Sequence, residues 1–277
     1  MSDTNVPVAD EIVSLLSREP DASGRAALEA LARGLLRRAP RELLLRIPPE
    51  QLLERIRGLY AYVDARRDPV AVRVHEGADG STVVEANTAD APFLVDTVRG
   101  AITAQGLSVR TLLHPVFGIE RAEDGSIARI GSARGAQARE SIMRLELVER
   151  LDSVRSDELA TEVARSLGDL RLAVADHAEM SGFISTMIEA AREASARYSA
   201  DEIDETVAFL EWLRDHFVFL GARDYAIVDG PAGKALQLVA GTGRGIMRDE
   251  ARSTYADGLA LSQMSEGLRE RIEGGDL

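Results

Sequence analysis

VAVRVHEGADGSTVVEANTADAPFLVDTVRGAITAQG, residues 70–106, changes its hydrophobic period once, and that change decides the fold. Val70, Val72 and Val74 alternate with Ala71, Arg73 and His75, the period of two that marks a half-buried strand. Gly77-Ala78-Asp79-Gly80 is turn chemistry, and a second strand is expected from Thr82 to Asn87, so 70–87 reads as a hairpin. Leu94, Val98 and Ile102 then recur at i, i+4 and i+8, which is helical spacing. Pro92 is expected as the first helical residue, with Asp90 placed to favour the positive end of the helix dipole. Gly106 suits the left-handed position just past the helix end.

Downstream, a long strand is expected over 107–121, broken by Pro115 and Gly118, followed by a loop rich in Gly and Ala over 124–138. A strand from Ile142 to Val148 puts Met143, Leu145 and Leu147 on one face. Ser156 is expected to cap a helix with Asp157 and Glu158 in its first turn and a stripe of Leu159, Val163, Leu167, Leu170 and Val174. The order is thus ββαββα, whereas a ferredoxin-like sandwich runs βαββαβ. The last strand is missing, but the strand at 70–75 can take the same sheet edge, antiparallel to the one at 82–87. The fold class is α+β.

Upstream, 8–66 reads as helical. Its stripes are Ile12, Leu15 and Leu16, then Leu28, Leu31, Leu35 and Leu36, then Leu52 to Val63 after Pro48-Pro49. No catalytic grouping appears there. Beyond the sandwich, 177–198 is helical, and Ser199 to Glu202 is a capping box opening a helix that ends near His216. A strand over 217–228, a turn at Gly230-Pro231 and Gly233, and a strand over 235–240 make a second hairpin. The expected organisation is a helical N-terminal segment (1–68), a sandwich (69–176), a helical linker (177–216) and the incomplete start of a second β unit (217–277).

Composition narrows the chemistry. The chain has 277 residues, 45% hydrophobic, with a formal net charge of −13. That charge repels phosphate backbones and anionic lipid, so neither nucleic acid nor membrane is expected as a partner. No run approaches the ~20 apolar residues of a membrane span, and the acidic opening MSDTNVPVADE (1–11) has no basic signal-peptide region. A cytoplasmic setting is expected. Zero Cys excludes disulfides, thiolate metal sites and a cysteine nucleophile. Lys234 is the sole lysine, so chemistry that needs a lysine base, Schiff base or phosphate-loop lysine has one candidate.

Motifs add little catalysis. Gly241-Thr242-Gly243-Arg244-Gly245 has Ile246 where a dinucleotide loop needs its third glycine, and it lacks the Gly-Lys-Ser/Thr of a phosphate loop, so it reads as a turn. His75, His114, His177 and His216 form no local i, i+3 or i+4 pair for a metal. No catalytic, cofactor or metal residues are assigned. The one candidate ligand site is the strand-to-helix corner with Asn87, Asp90, Phe93 and, from the Leu-His-Pro strand, His114; free amides at a helix start can hold an anion or carboxylate.

The stretch TVVEANTADAPFLVDTVRGAITAQGLSVRTLLHPVFGIER (82–121) resembles the N-terminal region of the large, NAD-specific bacterial glutamate dehydrogenases. ESIMRLEL (140–147), FLEWLRDHFVFLGARDY (209–225) and GRGIMR (243–248) extend the resemblance in order and spacing, and the helical 31–66 segment agrees. Ala91, Ala222 and Arg244 depart from the family's usual Met, Tyr and Leu. The resemblance implies an ACT-like sandwich over 69–176, a PAS-like domain beginning at 217, and a regulatory or assembly role. It places the dehydrogenase domain, and its NAD, farther downstream in the same polypeptide. ACT domains of this kind hold an amino-acid effector near a Gly after the first strand, where Phe93 stands here. The resemblance also implies a homo-oligomer, and a segment that is catalytically silent alone. The competing expectations are a stand-alone ACT/PAS-like small-molecule sensor and an oligomerisation scaffold.

Overall fold

The computed structural model describes residues 5–17, 24–39, 44, 47–231 and 233–274, in two units, 1–168 and 169–277. The expected helical stretches around 18–23 and 40–46 lie, apart from Leu44, outside the described residues.

In the first unit, α1 (Asn5–Ser17), α2 (Arg25–Leu36) and α3 (Pro49–Asp64) precede β1 (Val70–Glu76) and β2 (Thr82–Ala89). Next come α4 (Leu94–Ala104), β3 (Val109–Leu113), β4 (Val116–Arg121), β5 (Ile127–Ser132), β6 (Arg139–Leu147) and α5 (Ser153–Ala175), whose residues from 169 onward belong to the second unit. The strands form one antiparallel sheet in the order β1-β2-β6-β4-β5, with β3 also on β6. β1 lies on the edge beside β2, Val70 opposite Thr88 and Glu76 opposite Thr82, so the first strand of the hairpin does take the place of the missing fourth ferredoxin strand. β3 pairs with Leu113–Arg144 to Val109–Leu147, and β4 pairs with the other end of β6. Together they form one line beside β6, with a register shift between Val109 and Thr111 and a break at His114-Pro115, where the proline's missing N–H cannot join a ladder.

Both faces of this sheet are covered, which explains why β2 is buried from Thr82 through Thr88. On one face Phe117, Ile119, Ile130 and Ile142 pack with Ile12, Leu16, Leu31, Leu35, Leu53, Ile56 and Val63 of α1–α3 in a single core. On the other, Val84, Ala86, Met143, Leu145 and Leu147 are buried, as are the stripes Leu94, Val98, Ile102 of α4 and Leu159, Val163, Leu167 of α5. Each such Leu or Ile contributes about 1.5–3 kcal/mol on burial.

Four expectations are corrected here. The Gly/Ala-rich stretch 124–138 contains a strand, β5; its register with β4 (Ile119 opposite Ile130) and its packing against α2 supply the order that two isoleucines do not announce. Gly118 does not break β4 but lies within it. Helix α4 begins at Leu94, not Pro92: Phe93 takes a left-handed conformation (φ 64°) at its N-cap, and Asp90 is bonded to Ser141 instead of serving the helix dipole. The cap of α5 is Asp152, whose Oδ1 accepts from the Arg155 amide at 2.9 Å; Ser156 lies inside the first turn.

In the second unit, α6 (His177–Glu193) and α7 (Ala200–His216) pack through Ile184, Ile188 and Leu210, with Val207, Leu213 and Phe219 alongside. The capping box at Ser199 and Glu202 is present with both of its hydrogen bonds. A two-residue strand β7 (Gly221–Ala222) pairs with β10 (Arg244–Gly245). The hairpin β8 (Tyr225–Gly230) and β9 (Gly233–Leu238) gains a third strand, β11 (Leu259–Ala260), and α8 (Glu266–Gly274) follows. The strand expected over 217–228 is thus only partly formed: 217–220 carry no ladder, because a strand needs a paired neighbour as well as suitable side chains. Among the described residues no helix is long and apolar enough to cross a membrane.

Candidate functional site

The sheet face beneath α3 carries two buried carboxylates, each enclosed by arginines. Glu85 of β2 is 1% exposed. Its Oε2 accepts from Arg73 Nε at 2.6 Å and lies 3.3 Å from His75 Nε2, while Oε1 accepts from Arg144 Nη1 at 2.5 Å. The ladder explains the grouping: Arg73 stands directly opposite Glu85 on one side and Arg144 opposite it on the other. Tyr62 of α3 donates its hydroxyl to the Glu85 carbonyl, and the Arg73 guanidinium stacks 4.3 Å over the Tyr62 ring. Burial alone would raise the Glu85 pKa; the hydrogen bond at His75 and the charges of Arg144 and Arg73 outweigh it and hold the carboxyl at about 2.

Glu140 of β6 forms the second cluster. It receives Arg121 through Nε at 2.7 Å and Nη2 at 2.9 Å, pairs with Arg66 at 2.6 Å, and accepts from Asn87 Nδ2 at 3.1 Å. Here too burial opposes ionisation and the two arginines and Asn87 overcome it, so its pKa lies below the ordinary value. Arg66 follows α3, and Arg121 also donates to the Val63 carbonyl at 3.0 Å, so these bonds tie the end of α3 to the sheet.

The four corner residues do not form one group. Asn87 belongs to the Glu140 cluster. Its Oδ1 accepts from Arg66 (2.6 Å) and Arg121 (3.3 Å), its Nδ2 donates to Glu140 and to the Ser141 carbonyl, and every polar atom of the side chain is engaged within the protein. Asp90 accepts from Ser141 Oγ at 2.7 Å and pairs loosely with Arg139 at 3.5 Å. His114 is half-buried, with Nε2 lacking a hydrogen-bond partner. Burial and the nearby Arg38 charge lower its pKa, and Asp90 opposes them, so Asp90 and His114 do share a neighbourhood. Phe93, three residues after Asp90, stands exposed at the start of α4.

Sequence reasoning missed Glu85, Glu140 and their arginines. Parity was the available signal: Val83, Glu85 and Asn87 share one face of β2, and Glu140, Ile142 and Arg144 share the same face of β6. An acid flanked across the ladder by two arginines on a doubly covered strand is a buried ion cluster. Its chemistry is to hold elements together, since its carboxylate oxygens are met by protein donors and its arginines also bond backbone carbonyls of neighbouring segments.

In the second unit the glycine-rich stretch 241–248 serves the same end. Asp176, 2% exposed, accepts from the Gly245 amide and from Arg248 Nε, both at 2.7 Å. The Arg248 bond, assisted by the Gly245 amide and working against burial, holds Asp176 at about 2. Gly245 adopts φ 57°, and a Cβ there would collide with the Leu220 carbonyl, so the glycine is required by close backbone approach. Lys234 sits exposed in β9 opposite Asp229. Among the described residues no group of three or more His, Asp or Glu could hold a metal. A cavity of about 460 Å³ beside β5 is lined by Gly118, Glu120, Arg129, Ser132 and Arg134 among others, and by none of the corner residues.

Comparison with known proteins gives this geometry a setting. Residues 31–163 match the glutamate dehydrogenase ACT1 domain, a span that runs from the middle of α2 to the middle of α5. Over 174 residues, 59% of the chain, it is 32% identical to the NAD-specific glutamate dehydrogenase of Pseudomonas aeruginosa, covering 11% of that protein. Over 165 residues, 57% of the chain, it is 28% identical to the NAD-specific glutamate dehydrogenase of Halomonas elongata, covering 10%. The Mycobacterium tuberculosis enzyme of the same name is 27% identical over half of the chain. The chain therefore spans about a tenth of the length of the curated relatives it matches.

Proposed function

We propose, taking residues 31–163 as a glutamate dehydrogenase ACT1 domain, that this chain is the N-terminal regulatory and assembly region of an NAD-dependent glutamate dehydrogenase. The parent reaction is oxidative deamination of L-glutamate to 2-oxoglutarate and ammonium, with NAD bound by a downstream catalytic region, in the cytoplasm and as a homo-oligomer. The segment 217–277 is read as the beginning of a PAS-like domain.

The observation that carries this reading is the sandwich itself. The polar side chains of its two buried carboxylate clusters are committed to holding strands and the end of α3 together, and the sole lysine is an exposed strand residue. An enzyme that recognises a substrate carboxylate and moves a proton through lysine chemistry has no such set here. The purified 277-residue chain is therefore expected to show no NAD-dependent oxidation of glutamate; measurable NADH formation would overturn the reading.

Effector binding is proposed at the corner, with Asp90 as acceptor for an amino group beside His114 and the exposed Phe93. Calorimetric titration of the chain with amino acids should give a saturable signal that Asp90→Ala removes. A flat titration across the amino acids would refute effector binding while leaving the catalytic silence of the segment intact.

A further inference from the structure

Helix α7 has two apolar faces, and the fold uses one. Val207, Leu210 and Leu213 pack on α6 with Phe219. Roughly 130° around the helix, at 3.6 residues per turn, lie Phe209, Trp212 and His216 at i, i+3 and i+7. Phe209 is 55% exposed and Trp212 47%. Their rings form a continuous ladder with Phe217: Phe209–Trp212 centroids are 6.1 Å apart, Trp212–His216 5.7 Å and Trp212–Phe217 5.0 Å. Val218 and Leu220, beyond the helix in the segment without a ladder, are exposed by about half as well. The chain has one Trp and six Phe, and this surface displays the Trp and two of the Phe. Contiguous exposed aromatics of this kind mark contact surfaces.

The border of the stripe is acidic. Asp201, Asp204 and Asp215 flank it along the helix, and Glu205 stands one turn before Phe209 in the stripe itself. Asp215 is paired with Arg214, and Glu211 with Arg192. Among the described residues, Asp201, Asp204 and Glu205 meet no cation. A second copy would bring the same carboxylates and another net −13 against them, and a phosphate-bearing surface would be repelled more strongly.

We propose that the aromatic stripe of α7 docks an amphipathic helical segment of a partner protein, one with aliphatic side chains on its contact face and Lys or Arg along the flanks. Rings would supply the buried anchors, and the carboxylate border would select the charge of the partner. Trp212 reports on this surface alone, because it is the only Trp in the chain.

The test uses the full 277-residue chain with two synthetic amphipathic helices of identical Leu pattern, one flanked by Lys and one by Glu. The Leu/Lys peptide should shift Trp212 emission to the blue, protect it from acrylamide and bind more weakly as salt rises. The Leu/Glu peptide should do neither. Phe209→Ser with Phe217→Ser, both at exposed positions, should weaken the Leu/Lys peptide by about tenfold or more. Asp204→Lys with Glu205→Lys keeps the rings and should exchange the preference toward Leu/Glu. Equal binding of both peptides, or no response to Leu/Lys up to about millimolar, overturns the proposal. A blue shift that grows with protein concentration and no peptide also overturns it, by making a second copy the occupant.

Discussion

Replacing Glu85 by Gln should cost the first unit about 3 kcal/mol near neutral pH, and that cost should disappear in acid. The carboxyl is held at about 2 rather than 4.5. Each pKa unit corresponds to about 1.4 kcal/mol, so this interval amounts to about 3 kcal/mol. A depressed carboxylate stabilises above its unfolded pKa and loses that contribution as pH falls from there toward the folded value. The wild type and Glu85→Gln should therefore differ fully above about pH 5 and converge as pH approaches about 2. Urea unfolding followed by far-UV circular dichroism at several pH values measures the difference, in which the titration of every other carboxylate cancels. Arg144→Met alone should cost about 1.5–3 kcal/mol, since it removes one guanidinium from a buried charge that keeps Arg73, and much less in the Gln background. A gap independent of pH, or one below about 1 kcal/mol, would refute the reasoning: the cluster would then behave as a solvated surface pair.

Three further outcomes follow from the packing. Gly34→Ala should destabilise by about 1–3 kcal/mol because its Cβ would run into the Phe117 ring, whereas Gly58→Ala, in α3 with open space around it, should stabilise by up to about 1 kcal/mol; thermal unfolding separates the two. Phe93→Gly should raise the melting temperature and Phe93→Val lower it, because the φ of 64° suits glycine and penalises a β-branched residue, while the exposed ring has little packing to lose. Asp176→Asn should loosen the second unit by about 1–3 kcal/mol through weakened bonds to Arg248 and the Gly245 amide; the effect should fade in acid, where the wild-type carboxyl also loses its charge, and Trp212 fluorescence during unfolding would follow it.

The hairpin at 70–87 could be read because alternation is a local property: Val70, Val72 and Val74 show the period within a few residues. The same holds for α4, whose stripe lies within three turns, and for the capping box at Ser199, which needs only four residues. β5 was not legible, since Ile127 and Ile130 sit between glycines and become a strand by pairing with β4 and covering α2. Phe217 to Leu220 erred in the opposite sense: strand-like side chains without a ladder remain exposed.

The corner shows where the boundary between the two kinds of information runs. Asn87 and Asp90 are three residues apart on extended chain, and that odd spacing already sends their side chains to opposite faces of the sheet. Local periodicity thus carried the fold class and the strand that replaces the missing edge, and composition alone showed that the chain has one lysine. Which arginines close on Glu85 and Glu140, and which face of α7 stays bare, depended on contacts between residues far apart in the chain. Cross-strand register decided the first and the packing of α6 the second, because a side chain's partner is set by the neighbour that the folded backbone brings to it.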